Sequence, residues 1–95
     1  MRTSQKLEAG ILTLLLAMPT YAYDLRAPLA ALGLPYYANS KPIYRVLKAL
    51  EQDGMVTRRW DIQEAGPARV IYSITEAGIA YLERIGPPRA SRYDS

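Results

Sequence analysis

The sequence contains no cysteine and no histidine. Without cysteine, a disulfide framework and a thiolate metal site are both excluded. Without histidine, the chain lacks the commonest general base, the usual partner of a serine nucleophile and the commonest zinc ligand. The nine carboxylates are scattered, and helix caps or ion pairs account for most of them. We therefore expect a protein that is not an enzyme and that uses no metal or cofactor.

The chain is short and basic. Its 95 residues, of which 49% are hydrophobic, are enough for one domain with a modest core. A net charge of +3 and a pI of about 9.3 suit a nucleic-acid partner or an anionic membrane surface, although many inert small proteins are equally basic. No apolar run in the sequence is long enough to span a membrane.

The N-terminus has two interpretations. Arg2 and Lys6 precede the apolar run 11–17, as in a signal peptide. Against this, Glu8 lies at the start of the apolar region, and the same residues have a helical period. We therefore expect a cytoplasmic protein without a membrane partner, whose first helix belongs to the domain.

Two helices are predicted before residue 34. The first is capped by Ser4 and ends at Pro19, and one apolar stripe runs along it: Leu7, Ile11, Leu14, Leu15 and Met18. The second is capped by Thr20 and ends at Gly33, with three inward leucines: Leu25, Leu29 and Leu32. Because an interior proline kinks or breaks a helix, the second helix is either kinked at Pro28 or begins near it.

A third helix has two different faces. It is capped by Asn39 or Ser40, accepts Pro42 in its first turn, runs to about Gln52 and is terminated by Gly54. Its apolar face carries Ile43, Val46, Leu47 and Leu50. Its opposite face carries Lys41, Arg45 and Lys48, with Tyr44 beside them.

A hairpin and a short helix complete the pattern. Alternating residues predict strands over 55–62 and 69–74, joined by a turn over 63–68. Thr75 caps a fourth helix that ends at Gly86, with Ile79, Leu82 and Ile85 inward. Since a two-stranded hairpin is unstable alone, it must pack on the helices.

The order helix, helix, helix, hairpin, helix is typical of a winged helix-turn-helix domain. We expect an α+β, mostly helical fold over residues 1–86, with a two-stranded wing, followed by a polar, disordered tail over 87–95. In this fold the third helix enters the DNA major groove and the hairpin forms the wing. The expected DNA-binding residues are Tyr21, Asn39, Ser40, Lys41, Tyr44, Arg45, Lys48, Arg58, Arg59 and Arg69.

The sequence does not indicate DNA contact equally strongly for all of these residues. Cations on the third helix can meet phosphates, and Arg45 can also contact guanine in a bidentate manner. For any single residue an ordinary solvated face is the commoner explanation, and it is their convergence on one helix that favours DNA. For the hairpin arginines, ion pairs to Asp61 and Glu64 remain as good an explanation as contact with the DNA backbone or minor groove. Trp60 is expected to be a core residue that covers the junction of helix and hairpin.

From Leu7 to Ile85 the sequence resembles the PadR family of transcriptional regulators. The resemblance lies in the first helix and Tyr23-Asp24-Leu25, in Ser40-Lys41-Pro42-Ile43-Tyr44 with Leu47, Leu50-Glu51 and Gly54-Met55-Val56, and most specifically in Trp60, Gly66-Pro67, Arg69, Tyr72 and Thr75-Glu76-Ala77-Gly78. It implies a dimeric repressor that binds a palindromic operator in double-stranded DNA and is released by a small aromatic or lipophilic effector.

Three departures from the family pattern affect this expectation. Tyr21-Ala22 replaces a His-Gly pair, and Arg45 replaces a proline. Gly86-Pro87-Pro88 interrupts the family's long C-terminal dimerisation helix. We therefore predict a homodimer built on the first helix, with these interface residues: Leu12, Leu16, Tyr81 and Leu82.

A winged helix also serves as a protein-interaction module without direct DNA binding, because fold does not fix function. Such a module would tend to expose apolar residues on the third helix. The basic face of that helix therefore favours the DNA-binding function.

Overall fold

The structure is a computed structural model that describes residues 5–62 and 66–86. Its elements are α1 (Gln5–Ala17), β1 (Thr20–Tyr21), a 3-10 turn (Tyr23–Leu25), α2 (Arg26–Ala31), α3 (Lys41–Gln52), β2 (Val56–Asp61), β3 (Arg69–Ile74) and α4 (Glu76–Ile85). The predicted Ser4 cap, Glu64 and the tail 87–95 lie outside the described residues. None of the helices within the described ranges has the length and apolar character needed to cross a membrane.

The helices enclose one apolar core. Leu7, Ile11 and Leu15 of the predicted stripe on α1 are buried in it. The same prediction was wrong for Met18, whose side chain is 65% exposed, because α1 ends at Ala17 and Met18 lies beyond its last turn. Buried side chains from α2, α3, β2, β3 and α4 also belong to the core: Leu29, Ile43, Val46, Leu47, Leu50, Val56, Tyr72 and Leu82.

The predicted two-stranded wing is part of a three-stranded antiparallel sheet with the order β1-β3-β2. Thr20 pairs with Tyr72 and Tyr21 with Ile71, so the prediction of Thr20 as a helix cap was wrong. Two residues are too short to produce an alternating pattern, and β1 forms because the outer edge of β3 needs a hydrogen-bonding partner. The hairpin therefore gains a third strand that ties it to the segment between α1 and α2.

The second helix begins near Pro28, which was one of the two predicted alternatives. The α-helical residues start at Arg26, so Pro28 lies in the first turn, where a missing N–H leaves no intrahelical hydrogen bond unmade. Gly33 follows the helix with a φ of +92°. A 3-10 turn replaces the beginning of the longer helix that the sequence pattern indicated.

The end of α3 is fastened to the start of α4 by a small group of residues. Gly54 leaves α3 with a φ of +77°. The Thr75 N–H donates to the Met55 carbonyl oxygen over 3.0 Å, and the Thr75 hydroxyl donates to the Gly54 carbonyl oxygen over 2.7 Å. The same hydroxyl accepts from the Gly78 N–H over 3.0 Å, as the predicted cap. A Cβ at Gly78 would lie 2.3 Å from the Met55 carbonyl oxygen, so this position excludes a side chain.

Candidate nucleic-acid interface

The third helix has the two faces that its sequence predicts. Its apolar side chains are buried, with at most 2% exposed. Its opposite face is exposed and consists of Lys41, Tyr44, Arg45 and Lys48. No described carboxylate forms an ion pair with Lys41, Arg45 or Lys48. The three positive charges are therefore presented to solvent together, on a helix that is firmly packed on its other side.

The side chain that caps the start of α3 belongs to Asn39, one residue before the backbone N-cap position. Ser40 occupies that position without a side-chain capping bond, whereas Asn39 Oδ1 accepts from the Lys41 N–H over 2.9 Å. Pro42 lies in the first turn, as expected. The Ser40 hydroxyl thus has no capping role and lies at the end of the helix where anions are favoured.

Two of the three hairpin arginines are engaged within the protein. Arg58 Nε lies 3.2 Å from Glu51 Oε2 on α3, and Arg69 Nη2 lies 3.4 Å from Asp24 Oδ2 beside the 3-10 turn. Arg59 is exposed and forms no ion pair with any described carboxylate. Both ion pairs are well exposed to solvent, so they contribute little to stability but orient the two guanidinium groups.

Neither ion pair involves Asp61, one of the two expected partners, and the other expected partner, Glu64, lies outside the described residues. Asp61 accepts a hydrogen bond from the Tyr21 hydroxyl, and the Arg69 guanidinium lies 3.6 Å from the centre of the Tyr21 ring. The hydroxyl predicted to reach a phosphate is thus bonded to β2. Tyr21 connects β1 to β2 across β3, which a local sequence pattern does not reveal.

Trp60 is not a core residue. Its side chain is 66% exposed, so the expectation that it covers the junction of helix and hairpin was wrong. Val56 and Tyr72, nearer the base of the hairpin, are buried, whereas Trp60 pairs with Val70 near the turn end of the hairpin and is exposed. Trp60 lines a shallow groove of about 250 Å³ together with Tyr44, Tyr21 and Arg69. The groove therefore joins the exposed face of α3 to the hairpin.

A second depression lies between α3 and the sheet. It is lined by Tyr44, Lys48, Glu51, Arg58 and Tyr72. Burial raises the pKa of the Tyr72 hydroxyl above its ordinary value, and the nearby Tyr44 adds to this effect while Arg58 opposes it. Tyr72 is therefore a neutral, buried member of the core at physiological pH.

Of the four residues predicted for a dimer interface, the structure buries two and leaves the other two at least partly exposed. Leu12 is fully buried and Leu82 is 5% exposed, so both belong to the core of the subunit and offer no surface to a partner. The helical period predicts Leu12 partly outside the buried stripe, but α1 contacts α2, α3, α4 and β3, and Leu12 is buried with the stripe. Leu16 is 51% exposed, and the half-buried Tyr81 donates a hydrogen bond to Glu8 Oε1 over 2.6 Å.

These features define a class of protein. A basic, exposed α3 that is preceded by two helices and followed by an antiparallel hairpin and a short helix defines a winged helix-turn-helix domain. The profile of the transcriptional regulator PadR-like family matches residues 11–84. The chain belongs to this family, which consists of transcriptional regulators and not of enzymes. No curated protein sequence matches the chain.

Several solved structures have the same fold. A PadR family transcriptional regulator from Eggerthella lenta is 28% identical, with a TM-score of 0.72 over 84% of this chain and 68% of that one. A conserved protein of unknown function, described as a potential transcriptional factor, is 37% identical, with a TM-score of 0.68 over 83% and 70%. Bacillus subtilis PadR in complex with operator DNA is 27% identical, with a TM-score of 0.71 over 93% of this chain and 52% of that one.

Proposed function

We propose that this chain is a sequence-specific DNA-binding transcriptional regulator that inserts α3 into the major groove and rests the hairpin on the backbone or minor groove. The observation that carries the proposal is the exposed face of α3, where Lys41, Arg45 and Lys48 are free of described ion pairs. Such a face suits a polyanion, because each cation that meets a phosphate releases counterions. Arg45 has the fork of donors that reads guanine O6 and N7.

The comparison with the Bacillus subtilis protein supports this function. That protein is bound to operator DNA, and the two chains share 27% identity and a TM-score of 0.71. This chain spans only 52% of its length, so the proposal concerns the DNA-binding domain alone. A winged helix that binds protein instead would tend to expose apolar side chains on α3, where Tyr44 is the one large apolar residue that is exposed.

We further propose that the chain acts as a repressor and that it binds a palindromic operator as a homodimer. A single winged helix makes few contacts, and two copies on two half-sites bind a specific site more tightly. A small aromatic or lipophilic effector would then release the DNA. A regulator of transcription acts where the DNA is, and a cytoplasmic location is part of the proposal.

Selection of bound sequences from a pool of random duplexes tests the proposal. We expect one sequence class to be enriched, with two half-sites about a helical turn apart. Binding should weaken with salt, with the slope that several phosphate contacts produce. A pool without any enriched sequence would contradict the proposed function.

Two variants locate the interface. Lys48→Ala should weaken binding to all duplexes and reduce the salt slope by about one. Lys6→Ala is the matched control, because Lys6 is also exposed but lies at the start of α1. Arg45→Ala should additionally relax the base preference at one position of each half-site, at a cost of about 1–3 kcal/mol. Equal effects of Lys48→Ala and Lys6→Ala would show that α3 is not the DNA-binding helix.

A further inference from the structure

Arg26, the first residue of α2, has an unusually complete set of contacts for a surface arginine. Its Nη1 donates to the Ala38 carbonyl oxygen over 2.7 Å, and its Nε donates to the Tyr23 carbonyl oxygen over 3.3 Å. The guanidinium carbon lies 3.8 Å from the centre of the Tyr23 ring and 5.6 Å from that of the Tyr36 ring. Arg26 thus contacts both the turn before α2 and the segment before α3.

The two tyrosine rings have no place in the apolar core. Tyr23 is 58% exposed and Tyr36 is 59% exposed. Their rings offer the face to which a guanidinium is attracted, so both rings help to hold Arg26 in place. The planar arginine fork suits this arrangement because it stacks and donates at the same time.

The contact with Ala38 bears on the orientation of α3. The linker between α2 and α3 covers residues 32–40, and its first part is held by the Leu34 N–H, which donates to the Leu29 carbonyl oxygen. Ala38 immediately precedes Asn39, whose side chain caps α3 at Lys41. The hydrogen bond from Arg26 to the Ala38 carbonyl oxygen connects α2 to the last part of the linker.

We infer that Arg26 is a positioning residue that sets the angle of the first turn of α3, and with it the register of α3 on DNA. The inference rests on the proposed function. It assigns to Arg26 a part in sequence discrimination without contact with DNA. The alternative role for a surface arginine here is direct contact with a phosphate, and the two roles differ in their dependence on salt.

The test compares Arg26→Gln and Arg26→Lys with the wild-type protein on two duplexes, the one enriched by selection and a shuffled duplex of equal composition. For both variants we expect affinity for the enriched duplex to fall about tenfold, as when a charge-assisted hydrogen bond is lost. Affinity for the shuffled duplex and the salt slope should stay unchanged, because no phosphate contact is removed. Lysine should not restore discrimination, since it lacks the planar fork.

Other outcomes overturn the inference in distinguishable ways. A salt slope reduced by about one in Arg26→Gln, with restoration by lysine, would make Arg26 a phosphate contact. If the wild-type protein selects a sequence and Arg26→Gln discriminates between the two duplexes equally well, the inference is overturned and the proposed function stands. If the wild-type protein selects no sequence, the proposed function fails and the inference fails with it.

A second variant provides the test if Arg26→Gln impairs folding. Tyr36→Ala removes one ring beside Arg26 and leaves both of its hydrogen bonds, and an exposed ring is not needed for the core. Should Arg26→Gln unfold at a clearly lower temperature than the wild-type protein, Tyr36→Ala carries the test. It should reduce discrimination in the same direction but by less, and an unchanged ratio of the two affinities would contradict the inference.

Discussion

Exposure distinguishes the roles of single residues on the proposed DNA-binding side. Tyr72 and Trp60 lie on neighbouring strands of one sheet, and alternate residues of a strand share a face. Tyr72 is buried in the core, whereas Trp60 is two-thirds exposed in the groove that Tyr44 also lines. A large apolar side chain left in water next to a row of cations is available for contact with sugars or bases.

Trp60 is the only tryptophan in the chain, so its fluorescence reports on this site alone. In the free protein we expect red-shifted emission that acrylamide quenches readily. On addition of the selected duplex, the emission should shift to shorter wavelength and become protected from acrylamide. Trp60→Ala should change the free energy of unfolding by no more than about 0.5 kcal/mol, as is usual for an exposed position. Blue-shifted, protected emission without DNA would contradict this account.

Single positions also show the limits of prediction from sequence. Lys41, Arg45 and Lys48 could be placed on one exposed face because that depends only on the helical period. The exposure of Trp60 could not, since it depends on how far the helices extend over the hairpin. The ion pair between Arg69 and Asp24 joins residues far apart in the sequence, and no local pattern indicates it.

Among the elements, length decides what the sequence reveals. The amphipathic α3 and the alternating β2 and β3 are long enough to show their periods, and the structure confirms them. The short β1 shows no period, and the sequence pattern predicts its first residue, Thr20, as a helix cap. Its pairing with β3 is a tertiary contact, so the third strand of the sheet could be found only from the structure.

The junction of α3 and α4 gives a structural reason for the segment Thr75-Glu76-Ala77-Gly78. Thr75 joins both helices through its hydrogen bonds to Gly54, Met55 and Gly78. Since β2 leaves from this junction and β3 returns to it, the junction fixes the base of the hairpin relative to α3. The Thr-Glu-Ala-Gly segment therefore has a structural reason that is independent of DNA contact.

Gly78 gives the sharpest test of this junction. In Gly78→Ala the new Cβ would lie 2.3 Å from the Met55 carbonyl oxygen, so the backbone must shift. We expect the free energy of unfolding to fall by about 3 kcal/mol, the upper end of the cost of overpacking, despite the better helix propensity of alanine. Urea unfolding followed by circular dichroism measures the change.

Gly10→Ala is the matched control for this substitution. Gly10 is also a buried helical glycine, but its Cβ would meet the ends of flexible side chains, Leu34 Cδ1 at 2.8 Å and Leu29 Cδ2 at 2.9 Å. These can rotate away, so the loss should be clearly smaller than for Gly78→Ala. Equal losses in the two variants would show that the contact with the Met55 carbonyl oxygen is not what excludes a side chain.

At the scale of the whole molecule, the burial of Leu12 and Leu82 changes how self-association must be tested. A charge at either position would disrupt the core, and the resulting loss of a dimer would carry no information about an interface. Leu16 and Met18 are the large apolar residues near the end of α1 that remain exposed, 51% and 65% respectively. The proposed homodimer therefore has its best support in this part of the surface, next to the segment that leads into β1.

Sedimentation equilibrium at micromolar concentrations tests this assembly. The wild-type protein should be dimeric, and Leu16→Glu combined with Met18→Glu should shift it to a monomer, because two carboxylates cannot be buried in an apolar contact without a large desolvation cost. Ile62→Glu is the matched control, since Ile62 is 75% exposed but lies at the end of β2. The far-ultraviolet circular dichroism of all variants should match that of the wild-type protein, because none of the three side chains is in the core. A wild-type monomer throughout the concentration range, or a dimer unaffected by the double substitution, would exclude an interface on α1 and with it the proposed arrangement of two copies on a palindromic site.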